Sequence, residues 1–145
     1  MGNSANINFD TAEASEVNPR IVVISGPSGS GKSTIVNRLI DECPVKLIKM
    51  ISATTRPIRE REVDGEDYYF LSSVEFQRRC DENEFVEYEE VHSSGYWYGT
   101  LKSELKRAHE RHGWALLEID VKGALRVLEL FPSAVTIFIR AATDD

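Results

Sequence analysis

Ile21-Val22-Val23-Ile24-Ser25-Gly26-Pro27-Ser28-Gly29-Ser30-Gly31-Lys32-Ser33-Thr34 is the stretch on which the reading of this chain turns. Ile21 to Ile24 is a short β-branched run, suited to a strand buried on both faces. Gly26 to Gly31 is a loop. From Lys32 to about Glu42 the apolar residues Ile35, Leu39 and Ile40 fall on one side of a helix. Gly26 to Ser33 fits the pattern GxxxxGK(S/T) in full.

The physical need behind that pattern is specific. Glycines let the backbone curl so that successive N–H groups point into one concavity and hold phosphate oxygens. The helix that follows adds its positive N-terminal end. A glycine-rich turn that binds nothing is the bland alternative, and an apolar strand before it with an amphipathic helix after it weighs against that. Gly26, Pro27, Ser28, Gly29, Ser30, Gly31, Lys32, Ser33 and Thr34 are therefore the expected nucleoside triphosphate site. Lys32 is expected at the β- and γ-phosphates, Ser33 on Mg²⁺ through its hydroxyl oxygen, and Thr34 at the α-phosphate.

Around this motif the chain is 145 residues long, a one-domain length, and 41% hydrophobic. No apolar run approaches the roughly 20 residues of a membrane helix, so no membrane association is expected. The net charge of −7 argues against a broad nucleic-acid surface, which needs a basic face. It leaves room for a small anionic ligand held by a few focused cations. Residues 1–19 read as a flexible polar tail without a signal-peptide pattern, which makes the cytoplasm the default compartment. Cys43 and Cys80 lie far apart and form no metal-binding spacing. His92, His109 and His112 show none either, and no feature sets an oligomeric state.

The later half alternates helix and strand. Leu101 to His112 is expected as a helix, Trp114 to Ile119 as a buried strand, Val121 to Phe131 as a helix and Ala134 to Ile139 as a third buried strand. That order predicts an α/β fold with a parallel core sheet and covering helices. The middle, about 52–100, differs. Leu47 to Ser52 and Tyr68 to Leu71 read as strands, and Val74 to Asn83 as a helix capped by Ser72 or Ser73. Thr54 to Asp67 reads as an exposed charged connection, and the charges of 102–111 as a solvated helix face. Glu84 to Val91 alternates, which places Phe85, Glu87, Glu89 and Val91 on one face of a strand. The middle is expected to form an inserted lobe with an antiparallel sheet.

Ser52-Ala53-Thr54-Thr55-Arg56-Pro57-Ile58-Arg59, then Glu62-Val63-Asp64-Gly65-Glu66-Asp67-Tyr68, Phe85-Val86-Glu87 and Tyr96-Trp97-Tyr98-Gly99-Thr100, follow the loop in order. With these motifs the chain resembles guanylate kinase, a nucleoside monophosphate kinase for GMP, over roughly residues 20–142. The resemblance implies a P-loop NTPase three-layer α/β fold with an inserted mixed or antiparallel GMP-binding lobe within one domain, 20–145. It implies ATP and GMP as substrates, Mg²⁺ as cofactor, and ADP and GDP as products. It puts the GMP phosphate on Arg56, Arg59, Tyr68 and Tyr98, whose guanidinium forks and phenol hydroxyls suit a dianion. It puts guanine on Ser52, Glu87 and Thr100. A carboxylate at Glu87 accepts from both N1–H and the 2-amino group, a donor pair that adenine lacks. Glu118 is implied near GMP, where many members have Asp, and Asp120 near the metal through water. Lys32, Arg56 and Arg59 are the implied catalytic residues.

Singly, each of these could be a surface charge or a packed tyrosine; together in family order they need several coincidences. Guanylate kinases continue with an arginine-rich lid, whereas this sequence stops at Asp145. The expectation is a chain truncated before the lid, with impaired transfer. Two alternatives stand beside it. One is a guanylate-kinase-like binding module without catalysis, against which Lys32 and Ser33 are intact. The other is a kinase for another small acceptor, against which Glu87, Ser52 and Thr100 speak.

Overall fold

Ile21–Ser25 forms a strand because its β-branched side chains are needed on both of its faces. Val22 and Ile24 pack with Val36 and Leu39 of the following helix and with Leu116. Ile21 and Val23, on the opposite face, are as fully buried. In a computed structural model that describes residues 20–27, 29–91 and 93–140, the elements run β1 (Ile21–Ser25), α1 (Lys32–Glu42), β2 (Leu47–Lys49), β3 (Ala53–Thr54), β4 (Tyr69–Phe70), α2 (Ser73–Asp81), β5 (Phe85–Val91), β6 (Tyr96–Leu101), α3 (Lys102–Glu110), β7 (Trp114–Glu118), α4 (Val121–Leu130) and β8 (Val135–Phe138). The expected tail 1–19, Ser28 and His92 lie outside the described residues. The chain divides into two units, residues up to 49 with those from 108 onward, and residues 50–107.

The first unit is the expected α/β core. Its sheet has the order β2-β7-β1-β8, and the pairs β2·β7, β7·β1 and β1·β8 are all parallel. Parallel neighbours require crossovers, which α1 and α4 supply. Expected as a buried strand, β8 is instead an outer strand of this sheet. Val135, Ile137 and Phe138 are 46%, 39% and 53% exposed. Composition reported a strand correctly but carried no information on what covers it.

The second unit holds a mixed sheet of order β4-β3-β6-β5, with β3·β4 parallel and β3·β6 and β5·β6 antiparallel. One reading is corrected here. Leu101 ends β6 rather than opening a helix, so α3 begins one residue later. Thr54 to Asp67, expected as an exposed charged connection, is exposed over most of its length, but it starts on the last residue of β3, buries Arg56 and is tied to the backbone: Asp67 accepts from Val63 N–H at 2.7 Å and Asp64 from Phe70 N–H at 3.0 Å.

The alternation in β5 is also broken. Phe85 lies opposite Leu101 and Glu87 opposite Thr100, so two residues of β5 advance against one of β6. This is a β-bulge, and Val86 is the inserted residue. It moves Phe85 and Glu87 to opposite faces. Phe85 joins Ala53, Phe76 and Leu101 in the apolar core of this unit, stacked on Phe76 with ring centroids 4.5 Å apart. Glu87 goes with Thr100 and Tyr98. The two carboxylates that shared a face with Phe85 in the sequence pattern are thereby removed from the apolar side.

Gly99 makes that arrangement possible. A Cβ there would lie 2.8 Å from the Phe85 ring and 2.8 Å from the Glu87 carbonyl oxygen. Gly99→Ala is expected to destabilise the second unit by about 1–3 kcal/mol through overpacking. Urea unfolding followed by the fluorescence of Trp97, which packs on this core, checks it. An unchanged midpoint would show that the ring gives way freely.

Candidate functional site

The expected triphosphate site is built on the first unit. Gly26 has φ 154°, and a Cβ on it would lie 2.2 Å from the Ile139 carbonyl oxygen, so only glycine fits where the loop leaves β1. The loop closes with Ser30 N–H donating to Pro27 O, and Gly31 enters α1 in the left-handed region at φ 91°. No side chain caps α1, and its first turn carries no acid. The other two helices with a described cap are different. Ser72 accepts from Glu75 N–H at 3.0 Å in α2, and Asp120 accepts from Gly123 N–H at 2.9 Å in α4. The first turn of α1 thus keeps its N–H donors clear of side chains, at the positive end of the helix dipole.

A cavity of about 440 Å³ opens there, lined by Gly29, Gly31, Lys32, Ser33, Thr34 and Glu118. The Lys32 ammonium donates back to the Gly26 carbonyl, which holds its stem along the loop. The Ser33 hydroxyl donates to Glu118 Oε2 at 2.8 Å, and Lys49 Nζ lies 3.9 Å from Glu118 Oε1. With its proton directed to Glu118, the Ser33 oxygen presents lone pairs, the donor type a hard divalent cation takes. Asp120 has one oxygen committed to capping α4. Among the residues expected around GMP, Glu118 belongs to this unit, beside Ser33.

The remaining expected residues sit in the second unit. Glu87 and Thr100 meet directly: the Thr100 hydroxyl donates to Glu87 Oε2 at 2.8 Å, and both are buried, at 7% and 1% exposure. Tyr98 is two residues from Thr100 on β6, on the same face. Ser52 leads into β3, with its carbonyl accepting from Tyr69 N–H at 2.9 Å.

Arg56, Tyr68 and Tyr98 cluster. The Arg56 guanidinium lies 5.1 Å over the Tyr68 ring and 5.6 Å over Phe70, and the Tyr68 and Tyr98 rings meet edge to face at 6.0 Å. Burial pushes the Tyr68 hydroxyl up, with the neighbouring Tyr98 adding to it, so it stays a neutral donor at pH 7. Arg59 is exposed on the loop that follows.

Two carboxylates that hold these residues in place were given no role in the sequence reading. Glu62 makes a two-pronged pair with Arg56, Nη1 to Oε1 at 2.9 Å and Nη2 to Oε2 at 2.8 Å. The Arg56 hydrogen bond, then the Arg59 N–H, pull the Glu62 carboxyl down to about 2. Glu104, expected on a solvated face, is 2% exposed instead. It accepts from Ile51 N–H at 2.8 Å, from the Tyr69 hydroxyl at 2.8 Å and from Arg107 at 2.8 and 3.2 Å. Those bonds fix the corner from which Ser52 is presented. In the sequence both acids were hidden in charge-rich runs, and their spacings from their arginines, six residues from Arg56 to Glu62 and three from Glu104 to Arg107, single out neither.

A family model described as guanylate kinase matches residues 18–145. A guanylate kinase of Rhodopirellula baltica is 52% identical over 110 residues, covering 76% of this chain and 53% of that protein. One of Porphyromonas gingivalis is 46% identical over 121 residues, covering 83% of this chain and 64% of the relative. The crystal structure of guanylate kinase from Anaplasma phagocytophilum superposes with a TM-score of 0.68 at 35% identity, over 84% of this chain and 60% of that one. The chain therefore spans between half and two thirds of the length of these relatives. Among the described residues no helix is long and apolar enough to cross a membrane.

Glu104 gives a pH-dependent expectation. Burial alone would raise its carboxyl, but the bonds from Arg107, Ile51 N–H and Tyr69 outweigh this and hold it below the usual range. A carboxyl lowered on folding contributes stability above its unfolded value and loses it as pH falls through the folded one. Glu104→Gln should therefore lower stability at pH 7 by about 2 kcal/mol. The difference from the parent should shrink below about pH 4.5, as read by urea unfolding at a series of pH values.

Proposed function

The chain belongs to the guanylate kinase family, and from that premise we propose that it binds ATP at the loop 26–34 and GMP on the 50–107 unit, for transfer of the γ-phosphoryl group to the GMP phosphate. The observation that carries the acceptor assignment is the buried Glu87–Thr100 pair on the face shared with Tyr98. A carboxylate placed there beside the Thr100 hydroxyl is suited to two adjacent donors on one base edge, which guanine has and adenine has not. The discrimination follows because a buried acceptor left without its donors is costly. Ser52 completes the proposed base site. Arg56, Arg59, Tyr68 and Tyr98 make up the proposed phosphate site, where guanidinium forks and phenol hydroxyls are suited donors to phosphate oxygens.

On the donor side, the proposed roles follow the loop. The N–H groups of Gly29 to Ser33 and the Lys32 ammonium hold the β- and γ-phosphates. Gly26 and Pro27 set the turn, Ser30 closes it on Pro27, and Thr34 meets the α-phosphate. Ser33 is the proposed direct ligand for Mg²⁺, with Glu118 taking its hydroxyl proton and Asp120 reaching the ion's water shell. When bound, that ion neutralises charge building between the β- and γ-phosphates. The remaining work is positioning and charge stabilisation by Lys32, Arg56 and Arg59. The acceptor oxygen is already anionic, so no general base is proposed, and no covalent enzyme intermediate. The substrates belong to the cellular nucleotide pool, so the proposed compartment is the cytoplasm.

Two measurements test this. Glu87→Gln should weaken GMP binding by roughly tenfold or more, since it turns an acceptor towards guanine into a donor, and leave ATP binding unchanged in calorimetric titration. Equal loss for both nucleotides would refute the base assignment. Lys32→Ala should do the reverse, reducing ATP affinity with GMP affinity retained.

A further inference from the structure

Arginine is the longest and most rotatable of the side chains expected at the phosphate, yet Arg56 is only 6% exposed and fixed on several sides. Its Nη1 donates to Pro57 O at 2.9 Å and to Glu62 Oε1 at 2.9 Å, and its Nη2 to Glu62 Oε2 at 2.8 Å. Three of the five guanidinium donors are thus committed, two of them as a fork on one carboxylate. The flat face lies over Tyr68 and Phe70. Glu62 does more than pair with it. Its Oε1 also accepts from the Arg59 N–H at 2.7 Å, and its own N–H donates to the Arg59 carbonyl at 3.0 Å. One carboxylate therefore fixes the side chain of Arg56 and the backbone of Arg59.

The backbone shows that this placement is maintained against a local preference. Residues 59–62 form a tight turn whose third residue, Arg61, has φ 76°. That position favours glycine, and a residue with a Cβ adopts it at a cost in free energy. The turn is what carries Glu62 back to Arg56. A surface loop with no such task would be expected to relax Arg61 or place a glycine there.

We propose that Glu62 is a positioning residue for the acceptor phosphate: it clamps Arg56 by its outer edge and sets the backbone of Arg59, so that the two arginines meet the phosphate from fixed positions. The proposal rests on the assignment of GMP to this unit and adds a residue that never touches the nucleotide. Its consequence is a division of labour. Arg56, with its charge balanced by Glu62, supplies direction, and Arg59, exposed, supplies the net positive charge.

The test uses Glu62→Gln in this chain. Glutamine keeps an oxygen that accepts from Arg59 N–H, which preserves the turn, but its amide NH₂ cannot accept from Arg56. Two readouts are taken. The first is the ¹⁵N spectrum of the arginine side chains. In the parent, the clamped Arg56 should show slow rotation and distinct Nη signals; in the variant these should average. The second is calorimetric titration with GMP and with guanosine. GMP affinity should fall on the order of ten- to a hundredfold in the variant, as for a small misplacement of a binding group, while guanosine affinity stays the same. A purely structural role would weaken both ligands together, and that result overturns the proposal. So does a variant whose Arg56 signals match the parent. If the Arg56 signals average in the variant but the parent itself does not take GMP, the clamp stands and the assignment of GMP to this unit fails. Arg56→Lys, which keeps charge but loses the fork, should reproduce the selective loss of GMP.

Discussion

Among the described residues no side chain caps the backbone N–H groups in the first turn of α1, and the rest of the first unit is arranged around that fact. A helix start normally finds a partner for these donors, as α2 finds Ser72 and α4 finds Asp120. Leaving α1 without one is tolerable where an anion completes it. The supports are visible on both sides. β1 is buried on both faces, so its C-terminal end does not move. The close approach of Gly26 to the Ile139 carbonyl, with Ile139 N–H donating to Ser25 O at 2.7 Å, fixes where the loop departs. Val36, buried against Ile24 and Leu116, fixes where α1 begins. The donors are unsatisfied, but their positions are determined.

The phosphate site proposed for the second unit works by a different route, and the difference is one of physics. Backbone dipoles are oriented by the fold itself. A guanidinium group is oriented only by what holds it, and burying one without a partner is expensive. Arg56 resolves this with a carboxylate on its edge and aromatic rings on its face. Glu104 applies the same rule to a buried carboxylate, with Arg107, Tyr69 and Ile51 N–H around it. In each case the charge is kept because it is both paired and hydrogen-bonded. The bulge at Val86 serves the same end, since it turns Glu87 away from the apolar core and towards Thr100.

How much of this could be read in advance depended on sequence separation. Strand, loop and helix at 21–42 are contiguous, and their signals are local: β-branched residues, glycines, then helical periodicity. The parallel order of the core followed from the same reasoning. The second-site residues Ser52 to Thr100 were collected by resemblance, not by any local rule. The bulge was invisible because period two cannot show that one strand has advanced an extra residue. Glu104 was misread because a helical acid among charges looks the same whether water or Tyr69, 35 positions away, lies opposite it. β8 was read as buried because its residues are apolar, and coverage is a property of neighbours rather than of the strand.

Net charge says little about a small anion site. The chain carries −7, but at physiological ionic strength exposed charges more than about 8 Å apart hardly sense one another. What matters is the immediate neighbourhood of each donor. Here the donors expected at phosphate, metal and base each have a carboxylate within hydrogen-bond reach: Arg56 with Glu62, Ser33 with Glu118 and Thr100 with Glu87. In the proposed reading the acids are part of the apparatus: Glu62 fixes the direction of a fork, Glu118 accepts from the Ser33 hydroxyl so that its oxygen faces outward, and Glu87 is placed to accept from a base edge. Other acids are paired elsewhere: in α2, Glu75 is bound to Arg78 and Arg79, and Glu82 to Arg78. The excess of negative charge and the capacity for anions are compatible because the first is a sum over the surface and the second is set residue by residue.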